Sequence, residues 1–130
     1  MYISNDSTFK FLKLGLDASS TRGKVISNNM SNINTKNFKK SVVSFEDNLK
    51  KETSKFDLKK TKEVHLSGSG DNSIISVKKD KSTSMRSDGN NVDLDLEKVN
   101  QASNTLMYNA LITQANSKFA MTKSVISGGN

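Results

Sequence analysis

Two long stretches of this chain place their apolar residues at helical spacing, and the stretch between them has no clear period. From Thr8 to Ile33, the positions Phe9, Leu12, Leu16, Ser19, Gly23, Ile26, Met30 and Ile33 are spaced 3, 4, 3, 4, 3, 4 and 3. That alternation keeps one stripe of an α-helix turned toward a partner. It predicts a helix over residues 8–35, with Asp6, Ser7 and Thr8 as candidate N-caps. Two stripe positions, Ser19 and Gly23, are small. They weaken an isolated helix, glycine costing ~1 kcal/mol against alanine, but they let another backbone come close. Periodicity alone does not separate such a seam from an ordinary amphipathic core helix. Toward the end of the segment, Ser27, Asn28, Asn29, Ser31, Asn32, Asn34, Thr35 and Asn37 form an amide-rich run. Short polar side chains of this kind compete for backbone hydrogen bonds and favour helix ends.

The second periodic stretch predicts a helix over residues 92–127, about 50 Å long at ~1.5 Å per residue. Asp93, Asp95 and Glu97 supply acids to its first turns, where the helix dipole favours them. Val99, Ala102, Leu106 and Ala110 make one apolar track. Tyr108, Ile112, Ala115, Phe119, Thr122 and Ile126 make another, as if the helix met more than one neighbour. Gly128-Gly129 is a stop. Between the helices, Phe38, Val42, Val43, Phe45, Leu49, Phe56 and Leu58 are scattered among lysines, and Phe45 with Leu49 hints at a short helix. Ile74-Ile75-Ser76-Val77 is strand-like, fitting either a two-stranded hairpin or a mobile loop. Gly68-Ser69-Gly70 reads as a linker, and Asp88-Gly89-Asn90 as a turn.

The expected fold is mainly α. It is a single domain, residues 1–130, whose long N- and C-terminal helices pair in a coiled-coil-like manner. The middle, residues 36–91, is basic, loosely ordered and partly irregular, with room for a short β-hairpin.

Composition sharpens this picture. Only 33% of the 130 residues are hydrophobic, and mean hydropathy is -0.59. So polar a chain buries a thin core by itself, and burial completed by partners is the expectation. There is no cysteine and no proline, which excludes thiolate chemistry and removes the strongest helix breaker. No run is long and apolar enough to span a bilayer. The N-terminal residues lack the basic and apolar regions of a secretory signal. The net charge of +7 is concentrated in residues 36–63, which carry nine Lys/Arg against five Asp/Glu. A basic middle permits nucleic-acid binding, but the interleaved acids and dispersed Phe38, Phe45 and Phe56 make a poor stacking platform.

The layout, together with particular residues, resembles the flagellar basal-body rod and hook family. The match begins at Ala18-Ser19-Ser20-Thr21-Arg22 and runs through Val25, Ile26, Ser27-Asn28-Asn29-Met30-Ser31-Asn32-Ile33-Asn34-Thr35 to Phe38-Lys39. Lys36-Asn37 stands where the family usually has Pro-Gly or Pro-Asn, and Phe38 replaces the usual tyrosine. A second match covers Asp88-Gly89-Asn90-Asn91-Val92-Asp93-Leu94-Asp95-Leu96-Glu97, then Asn104, Leu106 and Tyr108, and Thr61 to Leu66 adds a third. These narrow the likeness to the proximal rod, another rod protein of the family being the alternative. The resemblance implies a structural subunit of a hollow helical drive shaft that transmits torque and passes exported subunits. It implies export without a cleaved signal through the flagellar type III apparatus. It also implies neighbours: copies of the chain, other rod proteins, the rod–ring adaptor and the membrane-ring protein.

On this reading the seam residues Phe9, Leu12, Leu16, Ser19, Gly23, Ile26, Met30, Ile33, Leu106, Ile112, Phe119 and Ile126 carry packing and assembly. Arg22, Asn28, Asn29, Asn32, Thr35, Phe38, Asp93, Asn104 and Tyr108 are motif or inter-subunit positions, with Asn28, Asn29 and Asn32 as candidate contacts between subunits. Catalysis finds no support. The lone His65 lies in a weakly patterned segment, no serine sits in a nucleophile elbow, and Asp93, Asp95 and Glu97 lack the rest of a calcium loop. No cofactor, metal, nucleic acid or small-molecule substrate is expected.

Overall fold

The computed structural model describes residues 3–47, 75–82 and 86–128. Among the described residues the main elements are, in order, α1 (Ile3–Ser31), β1 (Ser41–Ser44), β2 (Ser76–Lys79) and α2 (Leu94–Ile126). The fold is mainly helical, with two long helices and a small antiparallel sheet between them, as the sequence patterns predict. Leu49, Phe56, Leu58, Lys59–Lys62, His65, the Gly68–Gly70 linker, Ile74 and the Thr61–Leu66 match lie outside the described residues.

At the N-terminal side α1 starts before the predicted caps and runs through Asp6, Ser7 and Thr8, because no breaker separates them from Ile3. It also ends four residues before the predicted residue 35. Beyond Ser31 the chain tightens into successive turns, with Ile33 N–H donating to Met30 O and Thr35 N–H to Asn32 O. The turns finish at Asn37, whose φ of 60° is in the left-handed region that asparagine tolerates better than most residues.

Helix α2 is capped by Asp93, one of the acids expected in its first turns. The Asp93 side chain accepts from the Asp95 and Leu96 N–H groups at 3.0 and 3.2 Å, satisfying donors that the first turn leaves without helical partners. At the other end the Ser127 N–H returns to Lys123 O, and Gly128 adopts a φ of 76°.

The helices run antiparallel. Asn29 meets Glu97, Ser19 meets Asn104, Gly15 meets Leu111, and Phe9 stacks on Phe119 with ring centroids 5.0 Å apart. On α1 the stripe predicted from spacing faces inward: Leu12, Ser19 and Ile26 are buried, and Phe9, Leu16, Gly23, Met30 and Ile33 are half-buried. Leu111 lies so near the α1 backbone that a Cβ on Gly15 would be 3.3 Å from its Cδ1.

On α2 the inward stripe differs from the apolar tracks. It runs through Glu97, Asn104, Leu111 and Lys118 at seven-residue intervals, with Ala115 and Thr122 beside them. Val99, Leu106, Phe119 and Ile126 are exposed, whereas Ile112 is half-buried.

The strands pair in antiparallel register, Ser41 opposite Lys79 and Ser44 opposite Ser76. The strand-like patch around Ile75 to Val77 therefore contributes to β2. Its partner, Ser41-Val42-Val43-Ser44, is not evident from sequence because the pairing joins segments more than thirty residues apart.

Candidate assembly interface

Asparagine side chains hold this thin-cored chain together. Among the largest fully buried side chains are Asn29, Asn90 and Ser19, at 1%, 0% and 1% exposure. A buried amide costs several kcal/mol in desolvation if left unpaired, on the order of 1–3 kcal/mol by mutational measures. Each of these is paired.

The inward face of α1 presents Asn29 to the start of β1. Its Nδ2 donates to Ser41 O at 2.8 Å and its Oδ1 accepts from Ser41 N–H at 2.9 Å. The amide thus copies the donor and acceptor pattern of a neighbouring strand and fixes β1 against the helix. Nδ2 also donates to Glu97 Oε2 at 3.2 Å, reaching α2.

A second clasp comes from the turn before α2. Asn90 Nδ2 lies 2.9 Å from the carbonyl oxygens of Asn32, Ile33 and Thr35. These carbonyls belong to the turns that follow α1, so the amide ties the start of α2 to the end of α1. Asn90 Oδ1 accepts from Val92 N–H at 2.8 Å. Next to it, Asn91 Oδ1 accepts from Lys40 N–H at 2.7 Å, and its Nδ2 donates to Asp80 O at 3.1 Å. The turn is formed by Gly89, whose φ is +76° and where a Cβ would come within 2.5 Å of Asn37 Oδ1. Asp88 completes it. Its Oδ1 accepts the Asn90 N–H at 3.0 Å and its backbone oxygen accepts the Asn37 N–H at 2.8 Å. The hydrogen bond from Asn90 and the nearby Arg86 guanidinium hold the Asp88 carboxyl below its ordinary pKa.

The third clasp joins the helices directly. Ser19 Oγ donates to Asn104 Oδ1 at 2.9 Å, and Asn104 Nδ2 donates to Ser19 O at 3.0 Å. Gly23 lies alongside, where a Cβ would be in ordinary contact with Asn104 Nδ2 at 3.5 Å. Beside it, Arg22 donates to Glu46 Oε1 at 2.5 Å and approaches Met107 Sδ at 3.7 Å. Partial burial raises the Glu46 pKa, but the bond and charge of Arg22 outweigh it and leave that pKa lowered.

The positions singled out from sequence therefore divide. Asn29, Asn104 and Asp93 act within the chain, and the burial of Asn29 leaves it no face for a neighbouring subunit. Asn28 is exposed. Asn32 is half-buried and turns its Nδ2 back to Asn28 O at 2.8 Å. Thr35 is exposed, Phe38 half-buried and Tyr108 exposed. Asn90, Asn91, Gly15 and Leu111 were not among the chosen positions. The Asp88-Gly89-Asn90-Asn91 run was the available signal for two of them.

Several large apolar side chains of α2 remain outside. Leu96, Val99, Leu106, Met107, Met121 and Val125 are about half or more exposed, Leu106 at 72% and Ile126 at 81%. From Val99 to Ser117, α2 carries no charged residue at all. Scattered apolar residues are normal on a surface, but a long uncharged helix face with this many large ones marks a site of protein association. No helix among the described residues is long and apolar enough to cross a membrane, and no group of metal-ligating side chains occurs among them.

A mainly helical chain clasped by internal amides, with large apolar side chains exposed on α2, has the build of a structural protein. No protein-family model matches it. It is 38% identical over 122 residues to the flagellar basal body rod protein FlgB of Bacillus subtilis, spanning 94% of this chain and 95% of that protein. The FlgB proteins of Borreliella burgdorferi and Borrelia hermsii are 38% and 34% identical over 105 and 102 residues, covering 74% and 72% of this chain and 78% and 76% of those proteins. The chain belongs to the FlgB family of flagellar basal body rod proteins and is a structural subunit of that rod.

Proposed function

We propose that the chain builds the proximal rod by packing the outer face of α2 against neighbouring copies and other rod proteins. The observation that carries this reading is the uncharged stretch from Val99 to Ser117, on which Val99 and Leu106 are exposed. Covering each large side chain contributes ~1.5–3 kcal/mol. Repeated around a tube, such contacts give stiffness without a large core in any one subunit. The tube is hollow, transmits torque and passes exported subunits. Its neighbours include the rod–ring adaptor and the membrane-ring protein, and the chain reaches them through the flagellar type III apparatus. The role is mechanical, with no catalytic step, nucleic acid or small-molecule substrate. In a strain lacking the chain, wild-type protein restores swimming and rod formation. Leu106→Asp is exported and folded but fails to enter isolated basal bodies. Normal incorporation of that variant overturns the α2 packing role.

A further inference from the structure

The groove between α1, β1 and α2 contains a buried acid that the chain only half satisfies. Glu97 is 3% exposed, and its Oε2 accepts from Asn29 Nδ2 at 3.2 Å. Among the described residues no hydrogen bond reaches Oε1. Every fully enclosed side-chain nitrogen or oxygen among the described residues has a partner, so Oε1 touches the solvent of the cleft. The cleft encloses about 300 Å³, and Val25, Ile26, Val43, Asn100 and Met107 are among its walls.

Arg22 lines the same cleft, but its guanidinium is directed to Glu46 and Met107. Among the described residues no cation pairs with Glu97. The first turn of α2 lends the carboxylate the positive end of the helix dipole, which eases its burial without replacing a counter-ion. A buried charge lacking a full set of partners is expensive, so the site is completed most favourably by an incoming donor that carries positive charge.

We propose that this cleft receives a lysine side chain from a second copy of the chain, with its ammonium on Glu97 Oε1. The inference rests on the rod reading above and adds a partner atom to it. Charge complementarity points to a second copy. Each chain carries 20 Lys/Arg against 13 Asp/Glu, so neighbouring copies meet with like charge in excess. A sheltered acid on one copy and a surplus lysine on the next offset that repulsion and fix register. Surplus lysines are present, since Lys78, Lys79 and Lys98 form no ion pair among the described residues.

Glu97→Gln tests the assignment. Glutamine keeps the acceptor for Asn29 but turns a neutral amide toward the incoming ammonium. The variant should keep the helical circular dichroism of the wild type and melt at the same or a higher temperature, since it removes a half-satisfied buried charge, while self-associating about tenfold or more weakly in sedimentation. A merely structural role for Glu97 would lower the melting temperature instead. Carbodiimide, which joins carboxylates only to amines in direct contact, is then applied to the associated full chain mixed from normal and ¹⁵N-labelled copies. Mass spectrometry should find Glu97 joined to a lysine of the other isotope. The assignment is overturned if Glu97 cross-links only within its own copy or not at all. It is also overturned if Glu97→Gln associates like the wild type, or if the wild-type chain stays monomeric at millimolar concentration. In isolated basal bodies, a Glu97 link solely to another protein's lysine rejects the second copy as occupant. If wild-type protein restores rods but any of these results is obtained, the cleft assignment alone fails.

Discussion

Replacing Asn90 by alanine removes one small side chain and should cost the chain much of its stability. The Nδ2 group has two protons for three carbonyl oxygens, those of Asn32, Ile33 and Thr35, all at 2.9 Å. At most two of those bonds are at full strength, and Oδ1 adds a third by accepting from Val92 N–H at 2.8 Å. The residue is 0% exposed, so water does not readily replace the lost amide. With ~1–1.5 kcal/mol for each net bond, the loss is about 3–4 kcal/mol. Small domains have only ~5–15 kcal/mol in total, and this thin-cored chain should lie near the lower end. Urea titration of the purified protein, followed by helical circular dichroism, should show the midpoint falling steeply, to the point that the variant is partly unfolded without denaturant. Asn90→Asp should be worse at neutral pH, because it sets a carboxylate against three carbonyls. An Asn90→Ala midpoint within ~0.5 kcal/mol of wild type would refute the clasp, since that is the size of an ordinary surface change.

Other outcomes follow from the same contacts. Asn104→Ala removes the paired bonds to Ser19 and should cost ~1–2 kcal/mol in the same titration. Gly23→Ala meets only an ordinary contact at 3.5 Å and gains helix propensity, so it should stabilise the isolated chain by ~0.5–1 kcal/mol. Gly89→Ala combines a φ of +76° with a Cβ 2.5 Å from Asn37 Oδ1 and should cost ~1–3 kcal/mol. Asp88, Asp80 and Glu46 all have lowered folded-state pKa values. Their stabilisation is present above the unfolded carboxylate pKa, near ~4, and is lost as pH falls through the lower folded values. The melting temperature should therefore drop on acidification below that point, and Asp88→Asn should flatten the drop.

The sequence made α1 legible because its inward stripe is apolar where it needs to be and small where another backbone approaches. In α2 the same reasoning located the helix and the acids of its first turns, and of its seam positions Ile112 is half-buried and Phe119 packs on Phe9, while Leu106 and Ile126 are exposed. The inward positions there are Glu97, Asn104, Leu111 and Lys118, a heptad of mixed polarity. Val99 and Leu106, which carry the apolar period, face outward. A hydrophobic pattern alone does not separate the residues of a chain's own core from apolar residues left on its surface. The amide clasps were hidden for another reason. Asn29 bonds a strand twelve residues away, and Asn90 bonds carbonyls more than fifty residues back. Hydrogen-bond complementarity of that kind leaves no period in the sequence. Only the close succession of Asp88, Gly89, Asn90 and Asn91 signalled that a specific turn was being built.

Labelling at residue 106 tests most directly whether the outer face of α2 is covered by assembly. The chain has no cysteine, so Leu106→Cys introduces a single thiol on a side chain that is 72% exposed in the isolated subunit. It should react with maleimide freely in the purified monomer and be strongly protected in basal bodies isolated from a swimming strain. Equal reactivity in the two states would contradict the account.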